Sequence, residues 1–325
     1  MSRVFVTGAT GLIGSVIAEQ LRQEGHEVVA LVREGTDAGP LEKLGVVIAR
    51  GDVTDRASID AGLVGCDGII HSAAIVGVPT QQIDSSRAVN LGGTINIVDA
   101  ARAAGVERTV VISTAAVFDR GSTLTEQSPV ASDGATDPYT VTKTEAYRAV
   151  QERVAAGQHI SLVLPGATFG SSPMGERMVN IPGGTQRIAR ALRLEPASYP
   201  PMVAPWSHTG HVARISLAAL EKGTSGSLYI AFGAPDCVTT IAGFVNRGCE
   251  IAGIDHRVVS VTLEELEDPE VAARFGPTLV SMAKMPKPDP YFDASWTHEQ
   301  LGVRPLSLDE TLSETIDWLR REKLA

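Results

Sequence analysis

Cysteine is scarce in this sequence, with only Cys66, Cys237 and Cys249 in a chain of 325 residues. The number is odd, and the spacings match neither a CxxC pair nor a set of metal ligands. The sequence therefore predicts no disulfide framework and no metal site. Free thiols suit a reducing compartment, so we expect a cytoplasmic protein.

Positive charge and long apolar runs are lacking as well. Lys and Arg number 28 against 38 Asp and Glu, which gives a formal net charge of -10. Because the phosphates of nucleic acids require a basic surface, this balance argues against a nucleic-acid partner. No apolar run approaches the ~20 residues that span a bilayer, and the N-terminus does not have the pattern of a signal peptide. We therefore expect no membrane association.

Hydrophobic residues, at 43% of the chain, are abundant enough for a sizeable core. Short apolar runs typical of buried strands alternate with segments of helical periodicity. The strand-like runs cover residues 4–6, 28–32, 46–48, 69–70, 110–112, 160–164 and 228–230. Continuous apolar strands between helices predict an α/β fold, with a doubly wound parallel sheet covered on both faces.

A glycine-rich turn lies directly between the first predicted strand and the first helix, where the chain reads Thr7-Gly8-Ala9-Thr10-Gly11-Leu12-Ile13-Gly14. In such a turn, Gly8 permits the tight bend, Gly11 lets a pyrophosphate approach the backbone, and Gly14 lets the helix pack closely on the strand. The helix N-terminus then offers free N–H groups and partial positive charge to an anion. The context favours a Rossmann-type dinucleotide site over an ordinary glycine-rich turn.

The end of the second strand discriminates between cofactors. An acid at this point would bind the ribose hydroxyls of NAD, but the residue here is Arg33, and a guanidinium binds the 2′-phosphate of NADP. Glu34 lies one position later and keeps NAD open, and Arg33 as a solvated strand-end charge is a further alternative. We favour NADP(H) over NAD(H).

The amino-acid composition changes after residue 170, where Pro, Gly and Ser become common. We expect a helix near Gln186–Leu194. A capping box from Ser307 to Glu310 begins a final amphipathic helix. We expect a dinucleotide-binding domain of residues 1–170 and 207–233. The remaining residues, 171–206 and 234–325, are expected to form a smaller, sequence-discontinuous substrate-binding lobe.

Tyr139 and Lys143 are four residues apart, so they share one face of a helix that Pro138 would begin. A cationic Lys beside a phenol stabilises the phenolate, so we expect a lowered pKa for Tyr139. Such a phenol donates a proton to a carbonyl oxygen or accepts one from an alcohol. Thr114 ends the fifth strand, where open α/β sheets bind ligands, and its hydroxyl can bond the same oxygen. A Tyr–Lys pair alone would be interpreted as a contact on a helix surface, and Thr114 is what favours the catalytic interpretation.

Together these motifs resemble the short-chain dehydrogenase/reductases, specifically the extended branch that contains epimerases and dehydratases. The resemblance covers most of the chain and includes Gly51–Asp55, His71–Ala74, Asn90–Thr94, Ser113–Phe118, Pro165–Gly170 and Phe292–Gly302. It implies that Tyr139 is the general acid/base, that Lys143 tunes it and holds the nicotinamide ribose, and that Thr114 polarises the carbonyl. It also implies a homodimer, and a structural role for Asn90.

The cofactor contacts expected from the glycine turn and from the resemblance form one set. Asp52 and Val53 are implied to contact adenine, and Pro165 to lie beside the nicotinamide. The full set is Gly8, Thr10, Gly11, Leu12, Ile13, Gly14, Arg33, Asp52, Val53, Ala73, Ala74, Tyr139, Lys143 and Pro165.

Several positions depart from the pattern of the extended branch. Ala115 and Ala116 stand where dehydratases carry an Asp-Glu pair, which disfavours dehydration. Phe118 and Leu164 replace the usual Tyr and Arg, and two acids are missing from the segment 208–211. These losses put sugar-nucleotide binding in doubt.

The sequence therefore predicts an NADP(H)-dependent oxidoreductase that interconverts a ketone or aldehyde and an alcohol by hydride transfer. The expected partner is a small, moderately apolar molecule. One alternative is an NAD-dependent sugar-nucleotide epimerase that uses the same three residues. Another is a non-catalytic dinucleotide-sensing protein.

Three further residue groups have simpler interpretations. His208 and His211 lack further metal ligands at readable spacing, so we expect hydrogen bonds or substrate contact from them. Glu126 is interpreted as a surface charge. Three methionines of the variable region are either core residues or an apolar wall of the substrate site: Met174, Met178 and Met202.

Overall fold

The computed structural model describes residues 1–77, 79–119, 121–131, 137–285 and 287–325. The strands are β1 Arg3–Thr7, β2 Glu27–Val32, β3 Val47–Arg50, β4 Gly68–His71, β5 Arg108–Ile112, β6 Ile160–Leu164, β7 Ala167–Phe169, β8 Ser198–Tyr199, β9 Val203–His208, β10 Leu228–Ile230, β11 Val238–Thr240 and β12 Val259–Ser260. The helices are α1 Leu12–Gln23, α2 Gly39–Lys43, α3 Arg56–Gly62, α4 Ile83–Arg87, α5 Thr94–Ala104, α6 Pro138–Ala155, α7 Glu176–Val179, α8 Gly184–Leu192, α9 Thr209–Lys222, α10 Ile241–Ala252, α11 Pro269–Ala273, α12 Pro277–Lys284, α13 Ser295–Leu301 and α14 Leu308–Arg321.

The main sheet has seven strands in the order β10-β6-β5-β4-β1-β2-β3. Every pairing within it is parallel, and β1 pairs with both β2 and β4. The direction of winding thus reverses between β1 and β4, which is where an open α/β sheet binds its ligand. The predicted doubly wound Rossmann-type fold is confirmed, and each predicted strand lies within two residues of an observed one.

A second sheet of three strands has the order β11-β9-β7, with β7 parallel and β11 antiparallel to β9. Its core includes Trp206, whose ring stacks on Phe244 of α10 with centroids 3.8 Å apart. The expected helix near residue 190 is α8, and α14 begins with the predicted capping box. β9 crosses the expected boundary at residue 207, and β7, which lies before the boundary at residue 170, pairs with β9. The expected division stays a prediction.

The three methionines of the variable region are buried in the cores. Met174 and Met178 pack in the core shared by α1 and α9, and Met202 packs in the core of the second sheet. The core interpretation therefore accounts for all three. Across the described ranges, no helix is both long and apolar enough to cross a bilayer.

Candidate active site

The carboxyl ends of the parallel strands bring the predicted site residues to one edge of the sheet. Gly8 follows β1, Arg33 follows β2, Asp52 follows β3, Ala73 follows β4, Thr114 follows β5 and Pro165 follows β6. The ends of β5 and β6 are joined directly, since Ala115 N donates to Pro165 O over 3.0 Å. This edge is the candidate active site.

The glycine turn has the geometry that a pyrophosphate requires. Gly8 has φ +71, and a Cβ there would lie 2.6 Å from Ala73 N. A Cβ on Gly14 would overlap the Gly8 carbonyl oxygen, so α1 packs on the turn as closely as the backbone allows. No side chain of the described residues caps α1, which leaves its first-turn N–H groups for a ligand. Thr10, Leu12 and Ile13 are part-exposed along this turn. These residues fit a dinucleotide.

The adenine end of the site has a second arginine that the sequence analysis did not identify. Arg33 is exposed after β2, and Arg50 Nη1 donates to Arg33 O and Thr36 O over 3.2 and 2.9 Å. Arg50 thus holds the turn after β2. The sequence shows an arginine, Arg50, at the end of the third predicted strand. That it holds the turn after β2 follows only from the pairing of β2 with β3.

Asp52 and Val53 are held by local contacts after β3. Asp52 Oδ1 accepts hydrogen bonds from Thr54 N and Thr54 Oγ1 over 2.9 and 2.7 Å. Val53 is buried, and a Cβ on Gly93 would lie 2.8 Å from its Cγ2 atom. The turn that is expected to meet adenine is therefore fixed by its own hydrogen bonds and by packing.

His71 is fully buried at the end of β4, beneath the expected cofactor contacts Ala73 and Ala74. Its Nδ1 lies 2.7 Å from Thr7 Oγ1, and its Nε2 lies 3.0 Å from Thr94 Oγ1. Since Thr94 Oγ1 donates its proton to Asn90 O, Nε2 of His71 must donate to Thr94. Burial, with the charge of Lys143, lowers the pKa of His71 to about 3. The ring is therefore neutral, and its Nδ1 accepts from Thr7.

Asn90 connects this region to helix α6 from a π-helical turn, Ala88–Gly93. Its Oδ1 accepts from Ile75 N over 2.8 Å, and its Nδ2 donates to Ile75 O and to Thr142 Oγ1, each over 3.0 Å. Thr142 in turn donates to Pro138 O over 2.7 Å. These contacts agree with the structural role that the resemblance implies for Asn90.

Thr114, Tyr139 and Lys143 meet at the ends of β5 and α6. Thr114 Oγ1 accepts from Ala116 N over 3.2 Å, and the Thr114 side chain is close enough to Tyr139 to influence its pKa. Lys143 is buried, and its Nζ donates to Ile112 O over 2.7 Å. The Asp137 side chain accepts from Thr140 N and so caps the helix that presents Tyr139.

The pKa of Tyr139 differs from the sequence expectation. Burial raises the pKa of Tyr139 to about 12, with Asp137 adding to the rise and the Thr114 side chain opposing it. Burial also lowers the pKa of Lys143 to about 8. The expected lowering of the Tyr139 pKa by Lys143 is therefore wrong in this structure, because burial is the largest influence on the phenol and favours its neutral form. The phenol keeps its proton at neutral pH.

The two histidines and Glu126 have partners distant in sequence. His208 Nε2 lies 2.7 Å from Glu314 Oε2, and His211 is buried 5.5 Å from the ring of His298. Glu126 is buried rather than exposed, and its Oε1 accepts from both N and Oγ1 of Thr297. The surface interpretation of Glu126 is wrong because a residue of α13 supplies its hydrogen bonds.

Comparison with known proteins gives one family. A model of the NAD dependent epimerase/dehydratase family matches residues 4–231. A putative dihydroflavonol 4-reductase from Synechocystis sp. is 29% identical, over 97% of this chain and 94% of its own. A UDP-glucose 4-epimerase from Streptomyces lividans is 30% identical, over 55% of this chain and 56% of its own. The solved structure of gox2253 has a TM-score of 0.83 at 25% identity and covers 99% of this chain and 98% of its own. The chain belongs to the NAD dependent epimerase/dehydratase family.

Proposed function

We propose that this protein is an NADP(H)-dependent reductase that converts a ketone or aldehyde to an alcohol. The observation that carries the proposal is the meeting of Thr114, Tyr139 and the buried Lys143 at the carboxyl end of β5, with a tyrosine that stays protonated. A reduction needs a proton at the carbonyl oxygen, and a protonated phenol supplies it.

The chain's own residues each have a defined part in this reaction. When bound, the reduced nicotinamide supplies a hydride to the carbonyl carbon. Tyr139 donates its phenolic proton to the carbonyl oxygen, and Thr114 holds that oxygen by a hydrogen bond. Lys143, fixed on Ile112 O, places a positive charge beside the site, which opposes the charge left on Tyr139.

The support for NADP(H) is the pair of arginines at the adenine end. Arg33 is exposed at the end of β2, and Arg50 holds the turn that follows it. Two guanidinium groups at this point favour a 2′-phosphate, which carries charge that a ribose hydroxyl lacks. Glu34 is exposed on the same turn and is the residue that NAD would use.

The support for a moderately apolar substrate comes from the strand end and from the relatives. Ala116 lies in the 3-10 turn Ala115–Val117 that follows Thr114 and is part-exposed there, whereas Ala115 and Phe118 are buried in the core. One of the relatives that align over 97% of this chain is named a putative dihydroflavonol 4-reductase, whereas the UDP-glucose 4-epimerase aligns over 55%. That epimerase is nevertheless the observation that keeps sugar-nucleotide epimerisation as a second candidate.

The test is the reduction of a panel of aryl and alkyl ketones and aldehydes. The rate of each reaction is measured as the loss of NADPH absorbance. The change Tyr139→Phe removes the proton donor, so we expect kcat/KM to fall by about 100-fold or more. The matched control is Tyr147→Phe, two turns along the same helix, which should keep the wild-type rate.

Two outcomes would contradict the proposal. A Tyr139→Phe enzyme with most of the wild-type activity would exclude the proposed proton donor. Wild-type protein that interconverts UDP-sugars, with no net oxidation of NADPH by any carbonyl, would favour the epimerase.

A further inference from the structure

We propose that Glu314 is a positioning residue for the nicotinamide nucleotide. With Ser171 and His208 it fixes the roof segment, defined as residues 165–172, which runs from the catalytic strand end to the first turn of α1. The proposal rests on nucleotide binding by the family and not on the carbonyl substrate.

The two ends of the roof segment lie at two parts of the candidate site. At one end, Pro165 O accepts from Ala115 N, next to Thr114. At the other, Ser172 Oγ lies 2.8 Å from Ser15 Oγ in the first turns of α1. Since Ser15 Oγ donates to Leu12 O, Ser172 is the donor to Ser15. The roof segment therefore connects the end of β5, beside Thr114, to the helix that follows the glycine turn.

Between these ends, one carboxylate of the last helix binds two groups. Ser171 Oγ donates to Glu314 Oε1 over 2.7 Å, and His208 Nε2 lies 2.7 Å from Glu314 Oε2. Thr209 Oγ1 also donates to Ser171 O over 3.0 Å. Burial acts to raise the pKa of Glu314, but the hydrogen bonds from His208 and Ser171 outweigh it, so the pKa lies below its usual value. The carboxylate is therefore charged at neutral pH.

The backbone at this point leaves little room for adjustment. Gly170 has φ +140, and a Cβ there would overlap Thr209 Oγ1 and lie 2.9 Å from His208 Nε2. The roof segment thus lies tightly against the start of α9, where Glu314 binds both Ser171 of the segment and His208. Loss of the carboxylate charge should loosen Ser171 without emptying a core position, because about half of the Glu314 side chain is exposed.

The consequence is a nucleotide site that depends on a helix distant from it in sequence. With Glu314 in place, the roof segment is already held in the bound arrangement, so binding does not have to order it. Without the charge, part of the binding free energy is spent on that ordering. We therefore expect weaker nucleotide binding at unchanged stability.

The experiment measures NADPH and NADH affinity by isothermal titration calorimetry in Glu314→Gln and Ser171→Ala. We expect the Kd of the preferred nucleotide to rise about five- to tenfold in each, as for loss of a hydrogen bond to a charged group. The Kd of the double variant should not exceed the higher of the two single-variant Kd values, because both changes break the same contact. Asp317→Asn, an exposed position one turn along α14, is the control and should stay within about twofold of wild type.

Tm without nucleotide separates positioning from folding. A Kd equal to wild type in both variants, or a lower Tm with unchanged Kd, would overturn the proposal. If Glu314→Gln does not fold, the Kd of Ser171→Ala decides. Wild-type protein that binds neither nucleotide would instead count against the cofactor assignment, which is a separate result.

Discussion

Single side chains at this site are governed by burial more than by neighbouring charge. Tyr139 and Lys143 lie on one helix face, yet burial raises the pKa of the first to about 12 and lowers that of the second to about 8. Each shift favours the uncharged form. A neutral phenol is the form that donates a proton to a substrate oxygen.

Arg33 is the residue on which the choice of nucleotide is expected to depend. Arg33→Asp should raise the Kd for NADPH by about 10- to 100-fold, because a charge-assisted contact with the 2′-phosphate is lost and a repulsion is added. Titration of both reduced nucleotides checks this, with Arg102→Gln on an exposed face of α5 as control. A wild-type preference for NADH would refute the assignment.

The β1–α1 connection leaves no space for a side chain at Gly14. We expect Gly14→Ala to destabilise the protein by about 1–3 kcal/mol, because its Cβ would overlap the Gly8 carbonyl oxygen. In an unconstrained helix the same change would be favourable. Urea unfolding measures the difference. Gly92→Ala is the matched control, since a Cβ there would make only a 3.8 Å contact with Arg87 O; equal effects at both positions would contradict this explanation.

The elements that could be predicted from the sequence are those defined by local pattern. The seven strands of the main sheet, α14 with its cap and the glycine turn each follow from residues close together in the chain. Arg50, Glu126 and Glu314 could not be predicted, because their partners lie 14 to 171 residues away and meet them only through the fold. The prediction of a lowered Tyr139 pKa was wrong for the same reason, since the burial of a side chain depends on the tertiary fold.

For the whole molecule, buried neutral histidines make stability depend on pH. Burial is the main cause that lowers the pKa of His71 and of His211 to about 3. The unfolded chain binds these protons near pH 6.5 and the folded chain does not. Stability is therefore lost as pH falls from about 6.5 towards 3, by at most about 1.4 kcal/mol per pH unit for each histidine.

His211→Leu should reduce this acid sensitivity. The variant no longer has a buried group that takes up a proton on unfolding, so its urea midpoint should fall less than that of wild type between pH 7.5 and 5. His256→Leu, at a part-exposed position, is the control and should follow wild type. If the urea midpoint of His211→Leu falls as much as that of wild type, other groups determine the loss of stability in acid.

The homodimer, the cytoplasmic location and the two-part division of the chain stay predictions at this scale. The main sheet and the second sheet are nevertheless continuous through the roof segment, which begins beside Thr114 and contains β7. The candidate active site and the second sheet are thus parts of one connected structure. We expect a change in the second sheet to alter nucleotide binding at the candidate active site.

The placement of the aromatic rings has an optical consequence. The first tryptophan of the chain is Trp206, stacked on Phe244 in the second sheet; Trp318 is buried in the same core, and Trp296 stacks on Tyr229. The glycine turn and the adenine end are therefore far from any indole in sequence. Trp206 and Trp318 therefore report on the core of the second sheet, whereas Trp296 packs against Tyr229 of β10 and the core of the main sheet. Far-ultraviolet circular dichroism averages over the whole chain. Unfolding curves that differ between the two signals would reveal a lobe that melts separately from the nucleotide-binding sheet.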